Sequence, residues 1–239
     1  MYITYKNLGE TPLECLERIR IEYGKAKDVP MTYAGRLDPM AEGLLIILAG
    51  DECKEKEKYL KMDKEYEIEV LFGISTDSYD TLGLIEKAEK KVFDAIDFQK
   101  YKGKFIQEYP KYSSKTVNGK QLHVYAREGN LPEEMPTKEV EIFLIEQIGS
   151  KALSGQRIAD VVLENIKKVK GDFRQEEISA KWAEFGKNHP LTKFIVLKLK
   201  VACSSGTYMR SLANRIGNDA GIPALAYSIK RTRINGYKI

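Results

Sequence analysis

The segment Tyr33-Ala34-Gly35-Arg36-Leu37-Asp38-Pro39-Met40-Ala41-Glu42-Gly43-Leu44-Leu45 sets one carboxylate in a tight loop that runs straight into an apolar stretch. Asp38 precedes Pro39 and is therefore biased out of helix. Gly35 and Gly43 allow the backbone to approach something closely. An Asp-Pro pair alone is ordinary turn chemistry, so the informative feature is the whole string. Other chemistries have less support. His123 and His189 lie in no nucleophile–base arrangement. Cys15, Cys53 and Cys203 lack metal-ligand spacing. Asp77 and Asp80 sit in a Ser/Thr/Asp run of turn type and are assigned no metal.

Arg210 opens a predicted helix, Tyr208–Ala220, where the positive end of the helix dipole is unfavourable for a cation. That misfit favours a buried partner of opposite charge. Charge is also uneven along the chain. From Leu191 to Ile239 there are nine Lys or Arg against one acid, Asp219, a balance of +8 within a net charge of +4. A basic block on a mildly acidic body is the footprint of a polyanion site, although a solvated face has the same composition.

Several elements must position these residues. Thr11-Pro12-Leu13-Glu14 predicts a helix with a capping box, stopping near Gly24. Leu44–Ala49 reads as a buried strand, Asp51–Leu60 as a charged helical stretch, and Glu65–Gly73 as an alternating strand with Tyr66, Ile68 and Val70 on one face. Lys91–Tyr101, with Val92, Ile96 and Phe98 apolar, predicts a helix, and Val140–Ile148 a strand. Ile158, Val161, Val162, Ile166 and Val169 recur at helical period, as do Ile178, Trp182 and Phe185 beyond Gly171. This predicts a two-helix hairpin over about 155–186, packed on the body by its apolar stripes. Phe194–Val201 returns to strand. Strands and helices interleave without strict βαβ alternation, so a mixed fold is expected.

With 239 residues, 43% hydrophobic and 31% charged, the chain can bury a core. That excludes disordered, collagen-like and disulfide-scaffold classes. The longest apolar run holds six residues, against the ~20 of a membrane span. No leader opens the chain and the cysteine usage suits reduced thiols, so a cytoplasmic protein without membrane association is expected.

The Asp38 string resembles the G-x-L-D-P-x-A-x-G-x-L motif of the TruB family of pseudouridine synthases, through Gly35, Leu37, Asp38, Pro39, Ala41, Gly43 and Leu45. Further segments follow in the family's order. Lys6-Asn7-Leu8-Gly9-Glu10-Thr11 resembles K-P-x-G-x-T, with Asn7 for the proline. Lys64-Glu65-Tyr66 resembles K-x-Y, and Gly73 with Thr76–Gly83 resembles G-x-x-T-D-T-x-D-x-x-G. Pro110, Tyr112-Ser113-Ser114, Val117–Lys120 and Tyr125–Gly129 resemble P-x-Y-S-A-x-K-x-x-G-K … A-R-x-G. Cys203–Leu212 resembles C-S-x-G-T-Y-I-R-x-L. The resemblance covers about residues 5–148 and 194–239.

The resemblance implies an α+β pseudouridine synthase fold, a mixed, mostly antiparallel sheet flanked by helices around a central RNA-binding cleft. It implies isomerisation of uridine to pseudouridine at position 55 in the T loop of tRNA. Asp38 is then catalytic, Tyr66 stacks on the target base, Arg210 is the partner of Asp38, and Tyr33 lines the substrate site. Arg36, Lys115, Lys120, Arg127, Lys230, Arg231 and Arg233 are the expected RNA contacts. No atoms enter or leave in this reaction, so no cofactor or metal is expected, and RNA is the expected partner of a monomer. Tyr33 stands where the family carries histidine, and Thr116 where it carries lysine. The 155–186 hairpin has no counterpart in the short bacterial pattern. Residues 1–239 are expected to form a single catalytic domain without a C-terminal PUA domain. Two competing expectations are the same reaction on another RNA, such as rRNA, and a non-catalytic RNA-binding or RNA-folding protein.

Overall fold

A computed structural model describes residues 1–91 and 95–238. The chain begins with β1 (Tyr2–Lys6), α1 (Pro12–Glu22), β2 (Met31–Ala34), β3 (Ala41–Ala49), α2 (Lys56–Leu60) and β4 (Lys64–Phe72). Shorter pieces follow: β5 (Ile74–Thr76), β6 (Ile85–Ala88), β7 (Gly103–Glu108), β8 (Thr116–Val117), β9 (Lys120–Gln121) and α3 (Leu122–Glu128). The rest is β10 (Thr137–Ser154), α4 (Gly155–Ile166), α5 (Gln175–Asn188), β11 (Lys193–Cys203), α6 (Met209–Asp219), β12 (Ala224–Ile234) and β13 (Tyr237–Lys238).

The main sheet runs β1-β3-β12-β4-β11-β10-β7, with β2 joined to β3 and β13 to β12. Its pairs are antiparallel except β3–β12, which is parallel through residues 41–43 and 229–231. Gly43 makes that pair possible. It has φ +114°, and a Cβ there would lie 2.2 Å from the Arg231 carbonyl oxygen. The fold is thus α+β with a mixed, mostly antiparallel sheet. No helix among the described residues is long and apolar enough to cross a membrane.

Alternation in β4 turns Tyr66, Ile68, Val70 and Phe72 toward α6, where Leu212, Ala213 and Ile216 complete a core cluster. Leu71 points the other way and packs with Val196, Leu225 and the apolar stripes of α4 and α5, including Ile158, Val162, Ile178 and Trp182. The predicted hairpin therefore forms and packs on the body. Thr11 and Glu14 cap α1 reciprocally, as their spacing requires.

One predicted helix is not found over the described part of its span. Of Lys91–Tyr101, residues 92–94, with Val92, lie outside the described residues. Phe98–Tyr101 is a 3₁₀ turn, started by the Asp97 carboxylate accepting from the Gln99 amide at 2.9 Å. The turn buries Phe98 and Tyr101 on one side.

Candidate active site

Asp38 sits in the six-residue loop between β2 and β3. Four backbone contacts fix that loop. The Ala41 amide donates to the Asp38 carbonyl at 3.0 Å, and the Gly9 amide to the Pro39 carbonyl at 2.9 Å. Arg231 donates from below to the carbonyls of Gly35 (3.2 Å) and Arg36 (3.3 Å). The carboxylate is left 36% exposed at a junction of two clefts. One has a volume of about 300 Å³ and is bounded by Tyr33, Arg36, Tyr112, His123, Arg174 and Arg210. The other, about 520 Å³, carries Lys64, Tyr66, Tyr208, Ile229 and Arg231.

Arg210, 172 residues away in sequence, donates from Nε to Asp38 Oδ2 at 2.7 Å. Only 2% of Arg210 is exposed. Its other nitrogens donate to the carbonyls of Ser78 (2.8 Å) and Tyr112 (3.0 Å), and Asp80 Oδ2 lies 3.6 Å from Nε. Burial works against the guanidinium charge, but Asp38 and Asp80 outweigh it and hold the proton more tightly than usual. Asp80 itself is pushed up by burial despite Arg210, a Ser78 hydroxyl at 2.7 Å and the Leu82 amide at 2.9 Å. The partner that the helix-dipole argument required is therefore a carboxylate that remains open to the cleft.

Tyr66 is 7% exposed, with its ring in the wall of the larger cleft, and burial raises its phenol above the ordinary range. Tyr208, beside it, is pushed up to about 12 by burial and then by Asp38. Tyr33 lines the smaller cleft, with Lys56 Nζ 5.7 Å and the Arg36 guanidinium 6.0 Å from its ring centre.

The expected cations divide. Arg36 is exposed at the rim and bonded to the Ser114 hydroxyl. Lys115 lies over the Tyr109 ring at 5.3 Å and Lys230 over the Tyr5 ring at 5.7 Å. Lys120 pairs with Glu128 and Arg127 with Asp172. Arg231 and Arg233 are held by neighbouring protein groups. Arg231 is 1% exposed and its three donors go to backbone carbonyls, because its register on β12 points it inward. Arg233 pairs with Glu65 across the sheet at 2.9 Å. Lys198 likewise takes Glu67 at 2.6 Å. Part of the basic block is thus a cross-strand charge ladder.

Four participants escaped the sequence reading. Asp80 was given no role beyond a turn and a motif position, and the Tyr112 carbonyl leaves no trace in sequence. Phe173 and Arg174, at the tip of the hairpin, line the smaller cleft with Asp38. Their signal was a charged and aromatic run between two apolar stripes.

Comparison with known proteins adds a family. The model for the TruB family pseudouridylate synthase N-terminal domain matches residues 25–152. A tRNA pseudouridine synthase B from Lactobacillus johnsonii is 31% identical over 243 residues, 99% of this chain and 69% of the relative. Its namesake from Lactobacillus delbrueckii subsp. bulgaricus is 31% identical over 220 residues, 89% of this chain. The chain spans 61% of that relative's length. Among solved structures, a Cbf5-Nop10-Gar1 complex superposes with a TM-score of 0.56 at 16% identity, covering 98% of this chain and 48% of that chain. That likeness is one of fold.

Proposed function

This chain belongs to the TruB family of pseudouridylate synthases, and from that premise we propose that it isomerises uridine to pseudouridine in RNA, at position 55 in the T loop of tRNA. The reaction breaks the N1–C1′ bond, turns the base and joins C5 to C1′. It needs an extruded uridine and an ionised carboxylate beside the sugar. Extrusion costs a few kcal/mol, and stacking on Tyr66 would return ~1–3 kcal/mol of it.

The observation that carries this reading is the Asp38–Arg210 pair at the junction of the two clefts. A carboxylate enclosed by substrate would tend to take up a proton. A guanidinium bonded to one of its oxygens opposes that and leaves the other free to meet the sugar. Attack on carbon and removal of a sugar proton both require this arrangement. Tyr66 and Tyr33 contribute ring surfaces for the base and its neighbours. Arg36, Lys115, Lys120, Arg127 and Lys230 supply phosphate contacts around the rim. On this reading residues 1–239 act as one catalytic domain interrupted by the α4–α5 hairpin, working as a monomer in the cytoplasm without a cofactor.

The test is tritium release from 5-tritiated uridine in a T-arm transcript. Asp38→Asn should lose at least ~10³-fold in rate while its Kd for tRNA stays within about threefold, since the charge removed is one that phosphate avoids. A wild-type protein that binds tRNA but releases no tritium from any RNA would make it a binding protein instead.

A further inference from the structure

The α4–α5 hairpin is inserted between two strands that pair with each other, β10 and β11. Its tip, residues 167–174, reaches back over the smaller cleft and is tied there to three separate segments. Arg174 donates from Nη1 to Asp77 Oδ2 at 2.7 Å and from Nη2 to Oδ1 at 3.3 Å, and both side chains are largely buried. The same guanidinium lies over the Tyr112 ring, 4.3 Å from its centre. Asp172 accepts from Arg127 Nη1 at 3.0 Å and offers its carbonyl to Nη2. Lys168 packs on Gly9, whose positive φ and missing Cβ leave room for nothing larger.

These contacts lead to the reacting carboxylate. The carbonyl of Tyr112 accepts from Arg210 Nη2 at 3.0 Å, and Arg210 Nε holds Asp38. A planar fork that bonds one carboxylate edge-on while its face covers a ring is an arginine property that lysine cannot reproduce. The helices behind the tip are anchored, with Ile166, Ile178 and Trp182 buried in the core cluster against the sheet. Arg174 also has φ 61°, a conformation unfavourable for a residue with a side chain. We propose that Arg174 is a positioning residue: it clamps Tyr112 and the 112–129 arm against the cleft and so keeps Arg210 aligned with Asp38.

This rests on the reading of Asp38 as the reacting group, and the experiment separates the two. Arg174→Gly removes the guanidinium and suits the left-handed backbone, so the turn should survive. Arg174→Lys keeps the charge without the fork. Amide hydrogen exchange is measured without RNA, in residues 112–129 and in β4. Single-turnover isomerisation and the Kd for tRNA are measured alongside. In Arg174→Gly the arm should exchange about tenfold faster with β4 unchanged. Its single-turnover rate should fall ~10-fold with Kd within about threefold, because misplacing a reacting group costs rate more than binding. Arg174→Lys should fall between. Unchanged exchange in the arm overturns the clamp, and faster exchange with an unchanged rate overturns the positioning role. Faster exchange in β4 as well, in both variants, makes Arg174 merely structural. A wild-type protein without isomerase activity defeats the Asp38 reading and the positioning role built on it, while arm exchange still decides the clamp.

Discussion

Two arginines flank the Asp38 loop, and they differ in what they hold. Arg210 enters from α6 and meets one carboxylate oxygen, two carbonyls and a second carboxylate at 3.6 Å. Arg231 enters from β12 and donates to carbonyls, those of Leu44, Arg36 and Gly35, at 2.7 to 3.3 Å, with no ion pair to a carboxylate among the described residues. Both are almost fully buried. The acceptors decide the consequence. Arg210 is the buried cation shared by Asp38 and Asp80, and its charge bears directly on the Asp38 carboxylate. Arg231 keeps its charge uncompensated by a directly bonded carboxylate, and that charge helps burial to depress its neighbour Lys64. One arginine serves as an electrostatic partner, and the other as a clasp that fixes the loop's backbone.

Removing each guanidinium should therefore produce different losses. Arg210→Gln leaves two carboxylates facing each other without a buried cation. Urea unfolding should show a loss of about 3–5 kcal/mol, and the single-turnover rate should fall at least ~10²-fold from lost charge stabilisation. Arg231→Gln strands carbonyl acceptors under the loop but removes no partner of Asp38. Its stability loss should be about 1–3 kcal/mol, with a rate loss of ~10-fold or less from loop displacement. If the two variants lost rate equally at matched stability, the division between partner and clasp would be wrong.

The partner was legible in the sequence and the clasp was not. Asp38 and Arg210 each stand in a motif with its own spacing, and a cation at a helix start already called for a buried acid. Arg231 lies in Lys230-Arg231-Thr232-Arg233, which by composition is a basic tail. What places it inward is the register of β12 against β4, with Arg231 opposite Tyr66, and no local pattern encodes that pairing. The α4–α5 hairpin was readable because its stripes repeat at helical period, whereas its tip takes meaning from Asp77, 97 residues away, and from Arg127, 45 residues away. The missing helix over 95–101 has a more local cause. Capping by Asp97 and the burial of Phe98 and Tyr101 outweighed a weak apolar period.

The smallest expected effect concerns the field around the clasp. Lys64 is 5% exposed, donates to the Leu60 carbonyl at 2.8 Å and to that of Met62, and shares the larger cleft with Arg231. Burial, and after it Arg231, lower its pKa from the ordinary 10.5 to about 8. Below that value folded and unfolded chains both hold the proton, so the full cost of burying the charge is present. Between about 8 and 10.5 the unfolded chain binds more protons than the folded one, so stability from this group rises with pH. Lys64→Met lacks the titration. The stability of wild type minus variant should increase by about 1–3 kcal/mol across that window in urea unfolding series. Taking the difference sets aside tyrosines such as Tyr208, whose raised pKa acts in the opposite sense above pH ~10. Adding Arg231→Gln to both members of the pair should narrow the window from below, because one of the two main causes of the depression has gone. A window that stays put would mean that burial sets Lys64 without the charge of the clasp.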